Sequence, residues 1–466
     1  MSTTGSARPV RRWLVLAICC LSVGVTGINL TIVNVALPSI SADLHASLGS
    51  LQWTVDAYSL VMACLLMLSG SMADRFGRKR IFRLGLALFS LGSLLCGLAP
   101  GAGWLIAFAG LQGVGGSMLN PVAMSIIVSV FADSRERAKA IGVWGSAIGV
   151  TAAAGPVLGG LLVSGLGWRS VYWVAVPIGI AALLLARRFV PESKAARARA
   201  VDLPGQALII VLFASVVAAT IEGPRAGWAN PWILGLIVLA VLALAGLLVV
   251  ERRRAEPLID LRFFRSPPFS GANAISVLMS AALGGFLFLN TFYLQDIRHF
   301  SPLRAGLMII PMAFGQALAA TVSGRLVAAR GSRLPLALGG ALLALGGFLL
   351  VPSTAQTGSA YLLVAYAVFG LGAGMISPPV THTAVSGMPP DQVGVAGALV
   401  ACARQFGIAI GVAVTGSIVA SSHAAWAVLG GCGLVALVLG VISTSGRAKA
   451  AAARNGRQLS HPKPVR

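Results

Sequence analysis

The sequence predicts an all-α integral membrane protein with 14 transmembrane helices. Of the 466 residues, 57% are hydrophobic and only 10% are charged, whereas ordinary soluble domains contain about 25% charged residues. Apolar runs that are long enough to cross a bilayer core as helices, which takes about 20 residues, follow one another along the whole chain. These two observations exclude a water-soluble globular protein.

Fourteen such runs stand between charged breaks or breaks rich in Gly and Pro. Their predicted bounds are 13–38, 51–73, 81–99, 104–132, 140–166, 169–190, 203–222, 229–250, 269–293, 303–326, 333–352, 360–386, 393–420 and 423–443. The first run follows three arginines, as a signal peptide would, but its apolar stretch reaches Pro38. A signal core has only roughly 7–15 residues, so this run is expected to be a spanning helix.

The formal net charge of +22 would suggest a nucleic-acid partner in a soluble protein. If the spans alternate from a cytoplasmic N-terminus, however, thirty of the 35 Lys and Arg residues fall on the cytoplasmic side and four on the other. This asymmetry is the positive-inside pattern that orients membrane proteins. It predicts a lipid bilayer as the environment, two cytoplasmic termini and no nucleic-acid partner.

A repeated loop divides the chain. The breaks after the second and tenth spans, 70–80 and 324–333, each hold two glycines seven residues apart followed by basic residues, although Ala328 replaces Asp74 in the second copy. Two six-helix pseudo-symmetric bundles around a two-helix insert are typical of a secondary transporter. The predicted domains are a cytoplasmic N-terminus 1–12, bundles 13–190 and 266–443, linkers with the insert 191–265, and a basic cytoplasmic tail 444–466. The tail is expected to be disordered and near anionic lipid.

Several motifs together resemble one family. They are GSMADRFGRKR at 70–80, TIVNVALP at 31–38, QWTVDAYSL at 52–60, RQFG at 404–407, and a fifth span with Gly142, Gly155, Pro156, Gly159 and Gly160. With these, the sequence resembles the major facilitator superfamily, and within it the fourteen-helix drug:proton antiporter branch of multidrug resistance exporters. The resemblance implies a secondary active exporter that exchanges protons for lipophilic or cationic drugs or antibiotics by alternating access.

Two departures from the branch keep alternatives open. Asn29 stands where the branch usually has Asp, and Ala109 stands where it usually has the Arg linked to proton transfer. An exporter of one endogenous natural product, or a uniporter or symporter not coupled to protons, is therefore an alternative.

Two charged residues inside the spans are the candidates for proton and substrate coupling. Asp56 is the only acid clearly within a span, and Arg404 lies near the middle of the thirteenth span. A charge at the bilayer centre costs about 2.5–3.5 kcal/mol, so such residues are functional candidates. A buried carboxyl can hold a proton and release it when a cation approaches. We expect Asp56 and Arg404 to pair in one conformational state; the alternatives are a wetted interfacial acid and an arginine bonded to carbonyls.

The resemblance also assigns roles to two motifs. The loop is expected to act as a conformational latch, with Asp74 meeting the positive N-terminus of a facing helix; its residues are Gly70, Asp74, Arg75, Gly77, Arg78, Lys79 and Arg80. The alternative is that its basic residues only set topology. The antiporter helix, with Gly142, Gly155, Pro156, Gly159 and Gly160, is expected to pack closely and seal the interface between the bundles.

Polar residues within the spans are candidates for the substrate cavity. They are Asn29, Asn34, Trp53, Tyr58, Gln112 and Asn120. Hydrogen bonding between helices is an alternative for the polar residues, and a position in the interfacial aromatic belt is an alternative for Trp53.

Enzymatic and cofactor chemistry has no sequence support. The six cysteines lie in apolar runs without CxxC spacing, and HExxH, GxSxG and GxxxxGK[ST] are absent. We therefore expect no metal, no cofactor and no enzymatic activity. The expected partners are a small-molecule substrate and protons, and the expected state is a monomer in a bacterial inner membrane.

Overall fold

The computed structural model describes residues 11–194, 202–254, 258–389, 392–419 and 422–459, and all regular structure in these ranges is helical. The first group of helices is α1 (Arg12–Leu44), α2 (Leu48–Phe76), α3 (Arg78–Gly97), α4 (Ala102–Val130), α5 (Ser134–Leu166), α6 (Ser170–Trp173) and α7 (Ala175–Phe189). Two more follow, α8 (Leu203–Ala226) and α9 (Pro231–Arg253). The last group is α10 (Pro267–Phe292), α11 (Pro302–Met308), α12 (Ile310–Arg330), α13 (Arg333–Leu349), α14 (Ser359–Val385), α15 (Val393–Ser417), α16 (Ser422–Ser443) and α17 (Gly446–Leu459).

Thirteen helical segments in the described ranges are long and apolar enough to cross a membrane, with α6–α7 and α11–α12 each counted as one segment. The predicted span 333–352 is present as α13, but this helix has only 17 residues. An all-helical, multi-pass membrane protein is thus confirmed, and the count of 14 spans is not.

Helix ends extend beyond the apolar runs. Helix α5 begins at Ser134, six residues before the predicted span, because the side chain of Asp133 caps it by accepting a hydrogen bond from the backbone N–H of Glu136, at 2.9 Å. Helix α1 likewise continues past Pro38 to Leu44. A search for apolar runs misses such polar helical turns.

The helices form two groups, each with its own core. Helices α1–α7 pack mainly on one another, and so do α10 and α12–α16, whereas the short helix α11 packs mainly on α5. Fully buried aromatic side chains occupy both cores, including Phe82 and Phe89 in the first group and Phe286, Phe369 and Trp426 in the second. We call these groups the first bundle and the second bundle.

The two ends of the molecule differ in how the bundles meet. We call the end that carries the α2–α3 connection the basic end, and the end that carries the α1–α2 connection the opposite end. At the opposite end, α5 packs on α11 and α2 packs on α15. Toward the basic end, Gly142, Gly145 and Gly149 of α5 and Gly324 of α12 have open space where a side chain would stand. The bundles therefore touch at the opposite end and part toward the basic end.

The expectation of a disordered basic tail is wrong for residues 446–459. They form helix α17, which packs on α10 and on the 3-10 turn Leu261–Arg265. Its buried residues include Ala448, Ala452 and Asn455, and Asn455 donates to the carbonyl of Arg262 at 2.9 Å. The segment is rich in Ala, the strongest helix former, and a face of small residues lets it dock. Residues 460–466 of the tail lie outside the described residues.

Candidate functional site

Asp56 lies in the seam between the two bundles. It is on α2 and fully buried, and neither carboxylate oxygen has a hydrogen-bond partner among the described residues. Gln52, one turn earlier on the same helix face, donates from Nε2 to the carbonyls of Val412 and Ala413 on α15, at 3.3 and 3.0 Å. The seam is thus closed on the side of Asp56 that faces the opposite end.

Arg404 lies on α15, further from the opposite end than Asp56. Gln405, its neighbour on α15, donates to the Met62 sulfur at 2.6 Å, which places this level of α15 about six residues, or roughly 9 Å, below Asp56 along α2. The Nε of Arg404 is buried without a partner in the described part of the chain. No ion pair within 4.0 Å joins Arg404 to Asp56 among those residues. The two charged residues therefore lie at different depths in this state.

Three of the predicted cavity residues share a small cavity within the first bundle. Asn29 and Gln112 exchange two hydrogen bonds, at 3.2 and 3.1 Å, and Gln112 also donates to Ser93 at 2.6 Å. With Tyr58 and Ala109 they line a cavity of about 20 Å³, which has room for about one water molecule. The hydroxyl of Tyr58 has no protein partner among the described residues. Asn29, where the resembled branch usually has Asp, thus belongs to a neutral amide network, and Ala109, where the branch usually has Arg, lines the same cavity.

The other predicted cavity residues lie elsewhere. Asn34 donates to the carbonyl of Leu30 within α1, and its Oδ1 has no partner in the described ranges. Asn120 is half-buried on α4. Trp53 donates from its indole to Glu222 of α8 at 2.9 Å, so it faces the insert.

The predicted latch is held together at the basic end. The guanidinium of Arg78 donates to Asp74 at 3.0 and 3.3 Å and to the carbonyl of Ser125 at 3.5 Å. Gly77 joins α2 to α3 with a φ of +112°, a left-handed conformation that favours glycine. The other latch residues lie in the flanking helices, Gly70 and Arg75 in the last two turns of α2 and Lys79 and Arg80 in the first turn of α3. The loop is therefore folded on its own bundle, next to α4.

A different acid occupies the helix N-terminus beside the latch. Glu192, which follows α7, accepts a hydrogen bond from the backbone N–H of Lys79 at 3.1 Å and lies 3.8 Å from Arg80. The first turn of α3 leaves N–H groups without helical partners, and a carboxylate there is favourable. The sequence analysis missed Glu192, although an acid beside a basic loop is a usable signal.

The glycines of α5 mediate contacts within and between bundles. A side chain at Gly159 would lie 3.0 Å from Ile32 of α1, and one at Gly160 would lie 2.6 Å from the carbonyl oxygen of Pro302 on α11. Gly306 of α11 in turn faces the backbone of Pro156. Gly155 packs on Thr31, whereas Gly142 has open space. The close-packing part of the motif is thus its second half, at the opposite end.

Two glutamines that join the bundles were also missed. Gln52 binds α15, as described above, and Gln295 of the second bundle donates to the carbonyl of Val35 on α1 at 2.9 Å. Both are amides in largely apolar segments, which is the signal that identified Asn29 and Gln112. Within the described ranges, no group of three or more His, Cys, Asp or Glu side chains is arranged to hold a metal.

Comparisons with known proteins agree with this architecture. The model of the Major Facilitator Superfamily matches residues 19–412. The multidrug resistance protein Stp of Mycobacterium tuberculosis is 37% identical over 84% of this chain and 72% of its own length. The tetracenomycin C resistance and export protein of Streptomyces glaucescens is 34% identical, over 90% and 78%. The puromycin resistance protein pur8 of Streptomyces alboniger is 36% identical, over 89% and 83%.

A solved structure has the same fold. It is a bacterial homologue of the human lysosomal transporter Spinster, in an inward-facing and unoccupied conformation. The TM-score is 0.61 with 17% sequence identity, and the match covers 98% of both chains.

Proposed function

This chain belongs to the Major Facilitator Superfamily, and from that premise we propose that it is a proton-coupled antiporter that exports lipophilic or cationic drugs or antibiotics. Its relatives are named for multidrug resistance and for resistance to single antibiotics. The family and these names support a multi-pass transporter of small molecules rather than an enzyme.

The observation that carries the proposal is the position of Asp56. Its carboxyl is fully buried without a partner in the described residues, in a seam that closes at one end and parts toward the other. An isolated buried carboxylate is costly, so the carboxyl is favoured in its protonated form while the seam is closed. When water or a cationic substrate reaches the carboxyl from the basic end, the ionised form is favoured and the proton leaves at that end. The carboxyl is protonated again when the opposite end opens and the substrate leaves there, so proton and substrate are exchanged in opposite directions.

Arg404 supplies the second charge in this scheme. It lies on α15, the helix that meets α2 at the seam, and its guanidinium carries a charge that cannot be removed by ordinary pH changes. In the proposed cycle, relative sliding of α2 and α15 brings Arg404 closer to Asp56 once the carboxyl has lost its proton. The latch at Asp74 then docks on the second bundle as the basic end closes.

The membrane orientation is part of the proposal. Because the alternation of spans along the sequence assigns thirty of the 35 Lys and Arg residues to the side of the α2–α3 connection, we assign that side to the cytoplasm, with both termini there. The 17 residues of α13 reach the lower limit for crossing a bilayer and complete 14 spans. We place the protein, as a monomer, in a bacterial inner membrane.

Flux into proteoliposomes tests the proposal. The purified protein is reconstituted with an acidic lumen that contains the pH dye pyranine, and ethidium or puromycin is added outside. Coupled exchange predicts drug uptake together with a drug-dependent rise of luminal pH, and neither response to the drug after a protonophore has collapsed the pH gradient. Drug uptake without a pH change would identify a uniporter instead.

A narrower substrate range is the second candidate. The amide network of Asn29 and Gln112 presents hydrogen-bonding groups without charge, and such a surface suits one polar natural product as well as varied cations. Several relatives are named for one antibiotic each. Export of puromycin but not ethidium in the same assay would favour this candidate.

A further inference from the structure

Helix α8 of the insert lies along the seam that contains Asp56. It packs on α2 of the first bundle and on α15 of the second bundle, while α9 packs mainly on the outer side of α8. The insert is therefore placed where the two bundles must move past each other. Its contacts with the two bundles differ in kind.

The contacts of α8 with α2 include hydrogen bonds near both ends of α8. Gln206 donates from Nε2 to the carbonyl of Cys64 at 2.6 Å. About one turn from the other end, Glu222 accepts the indole N–H of Trp53 at 2.9 Å. These directional bonds fix α8 on α2 in an antiparallel register.

The contacts of α8 with α15 are apolar. Phe213 stacks on Phe406 with ring centroids 4.2 Å apart. A small buried cluster joins Val217 and Ile221 of α8 to Ala409 of α15, together with α2 side chains. No contact of this kind prescribes a single register.

The bilayer makes this difference decisive. Lipid tails are as apolar as the side chains, so apolar helix contacts can be exchanged for lipid or for new neighbours at little cost. A hydrogen bond broken in the hydrocarbon core leaves polar groups with no water to replace the partner. Movement of the bundles should therefore keep the α2 contacts and change the α15 contacts.

Asp56 gives this arrangement a function. Two residues on either side of Asp56 contact the insert: Trp53, three residues earlier, and Leu60, four residues later. Gln52, four residues before Asp56, contacts α15. Residues three or four apart share a helix face, so Asp56 lies at the boundary between the parts of α2 covered by α8 and by α15. Without α8, movement of α15 would turn an ionising carboxyl toward lipid.

We infer that α8 is mechanically part of the first bundle and screens Asp56 from lipid while α15 slides along its apolar face. This inference rests on the alternating-access function proposed above. It gives the two-helix insert a task in coupling: an aqueous vestibule can reach Asp56 while the bilayer cannot.

Three spin-label positions test the inference. Ala107 of the first bundle, Ala226 of α8 and Ala360 of the second bundle are exposed, and all three lie at the opposite end. Each pair of positions is converted to Cys in a background with the six native cysteines replaced by Ala, in the full chain. After spin labelling of the two cysteines, double electron–electron resonance gives each distance in proteoliposomes. The distances are measured at acidic and alkaline pH, with ethidium or puromycin present or absent.

The Ala107–Ala360 distance is the reference for alternating access, and it should lengthen by on the order of 5 Å when the opposite end opens. The Ala226–Ala360 distance should change with it, and the Ala107–Ala226 distance should stay within its original distribution. The inference would be overturned, and alternating access would not, if the Ala107–Ala360 distance changed while the Ala226–Ala360 distance stayed constant. A change of the Ala107–Ala226 distance together with the Ala107–Ala360 distance would have the same meaning. A reference that never moves would overturn alternating access as well.

A variant pair checks which contacts hold α8. Gln206→Ala removes the hydrogen bond to α2, and we expect it to broaden the Ala107–Ala226 distribution. Phe213→Leu alters only the stacking on α15 and should leave that distribution unchanged. A broadened distribution in Phe213→Leu and an unchanged one in Gln206→Ala would contradict the assignment of α8 to the first bundle.

Discussion

At the scale of single residues, the sequence identified the charges but not their surroundings. Asp56 could be recognised because it is the one acid well inside an apolar run, and burial of such a group needs a reason. Both α8 and α15 cover Asp56, because these two helices are neighbours of α2. Which helices are neighbours cannot be predicted from one sequence. For the same reason Trp53 was assigned to a cavity or an aromatic belt, although its partner is Glu222 on the insert.

Arg404 gives the first prediction at this scale. If its guanidinium pairs with Asp56 in the state where the opposite end is open, Arg404→Ala removes that pairing, and Arg404→Lys keeps the charge. A hydrogen bond between charged groups contributes about 1.5–3 kcal/mol, so we expect proton-coupled uptake to fall at least about tenfold in Arg404→Ala and less in Arg404→Lys. The pyranine assay and drug uptake are measured on the same vesicles.

A packing role for Arg404 predicts a different pattern. Arg404→Ala would then lower the yield of folded protein, and the remaining protein would move as many protons per drug molecule as the unmodified chain. That result would remove Arg404 from the coupling scheme.

At the scale of helices, apolar runs predicted the existence and order of the spans but not their ends. Helix α5 begins in a polar turn capped by Asp133, and α17 is a helix made of Ala and basic residues. Both are set by caps, helix propensity and docking rather than by hydrophobicity. The glycine motif in α5 could be identified from sequence. Only the structure shows that Gly160 packs against another helix whereas Gly142 has open space beside it.

Two glycines on α5 form a matched pair for the second prediction. In Gly160→Ala the added carbon would lie 2.6 Å from the carbonyl oxygen of Pro302, whereas in Gly142→Ala it meets no atom within 4 Å. Overpacking costs about 1–3 kcal/mol, and here it acts only on the state that is closed at the opposite end. Gly160→Ala should therefore shift the Ala107–Ala360 distance toward its long value and slow export.

Gly142→Ala is the control, because it makes the same chemical change on the same helix. It should leave both the distance distribution and the export rate near those of the unmodified chain. Equal effects of the two substitutions would show that helix propensity, rather than contact with α11, explains the change.

At the scale of the whole molecule, the two bundles, the insert and the family were all predictable from sequence, since they depend on long apolar runs, charge placement and dense motifs. What composition could not supply is the conformational state. The closed end is defined by three separate contacts, made by Gln52, Gln295 and the glycines of α5 with α11. All three involve backbone carbonyls or backbone atoms, which carry no sequence signature.

The account makes Asp56 the proton carrier, and Asp56→Asn tests that claim. The carboxyl has no partner among the described residues to lose, so the amide should be accepted without loss of folded protein. In vesicles with an acidic lumen, addition of puromycin or ethidium should raise luminal pH with the unmodified chain and not with Asp56→Asn. Asp56→Glu should retain part of the response.

Asp43→Asn is the control for a change of acid outside the seam, because Asp43 is bound to Arg169 at the opposite end, at 2.6 Å. The decisive quantity is the drug-driven rise of luminal pH per amount of folded protein. The account predicts that Asp43→Asn retains this rise and that Asp56→Asn loses it. A rise in Asp56→Asn equal to that of the unmodified chain would contradict the account.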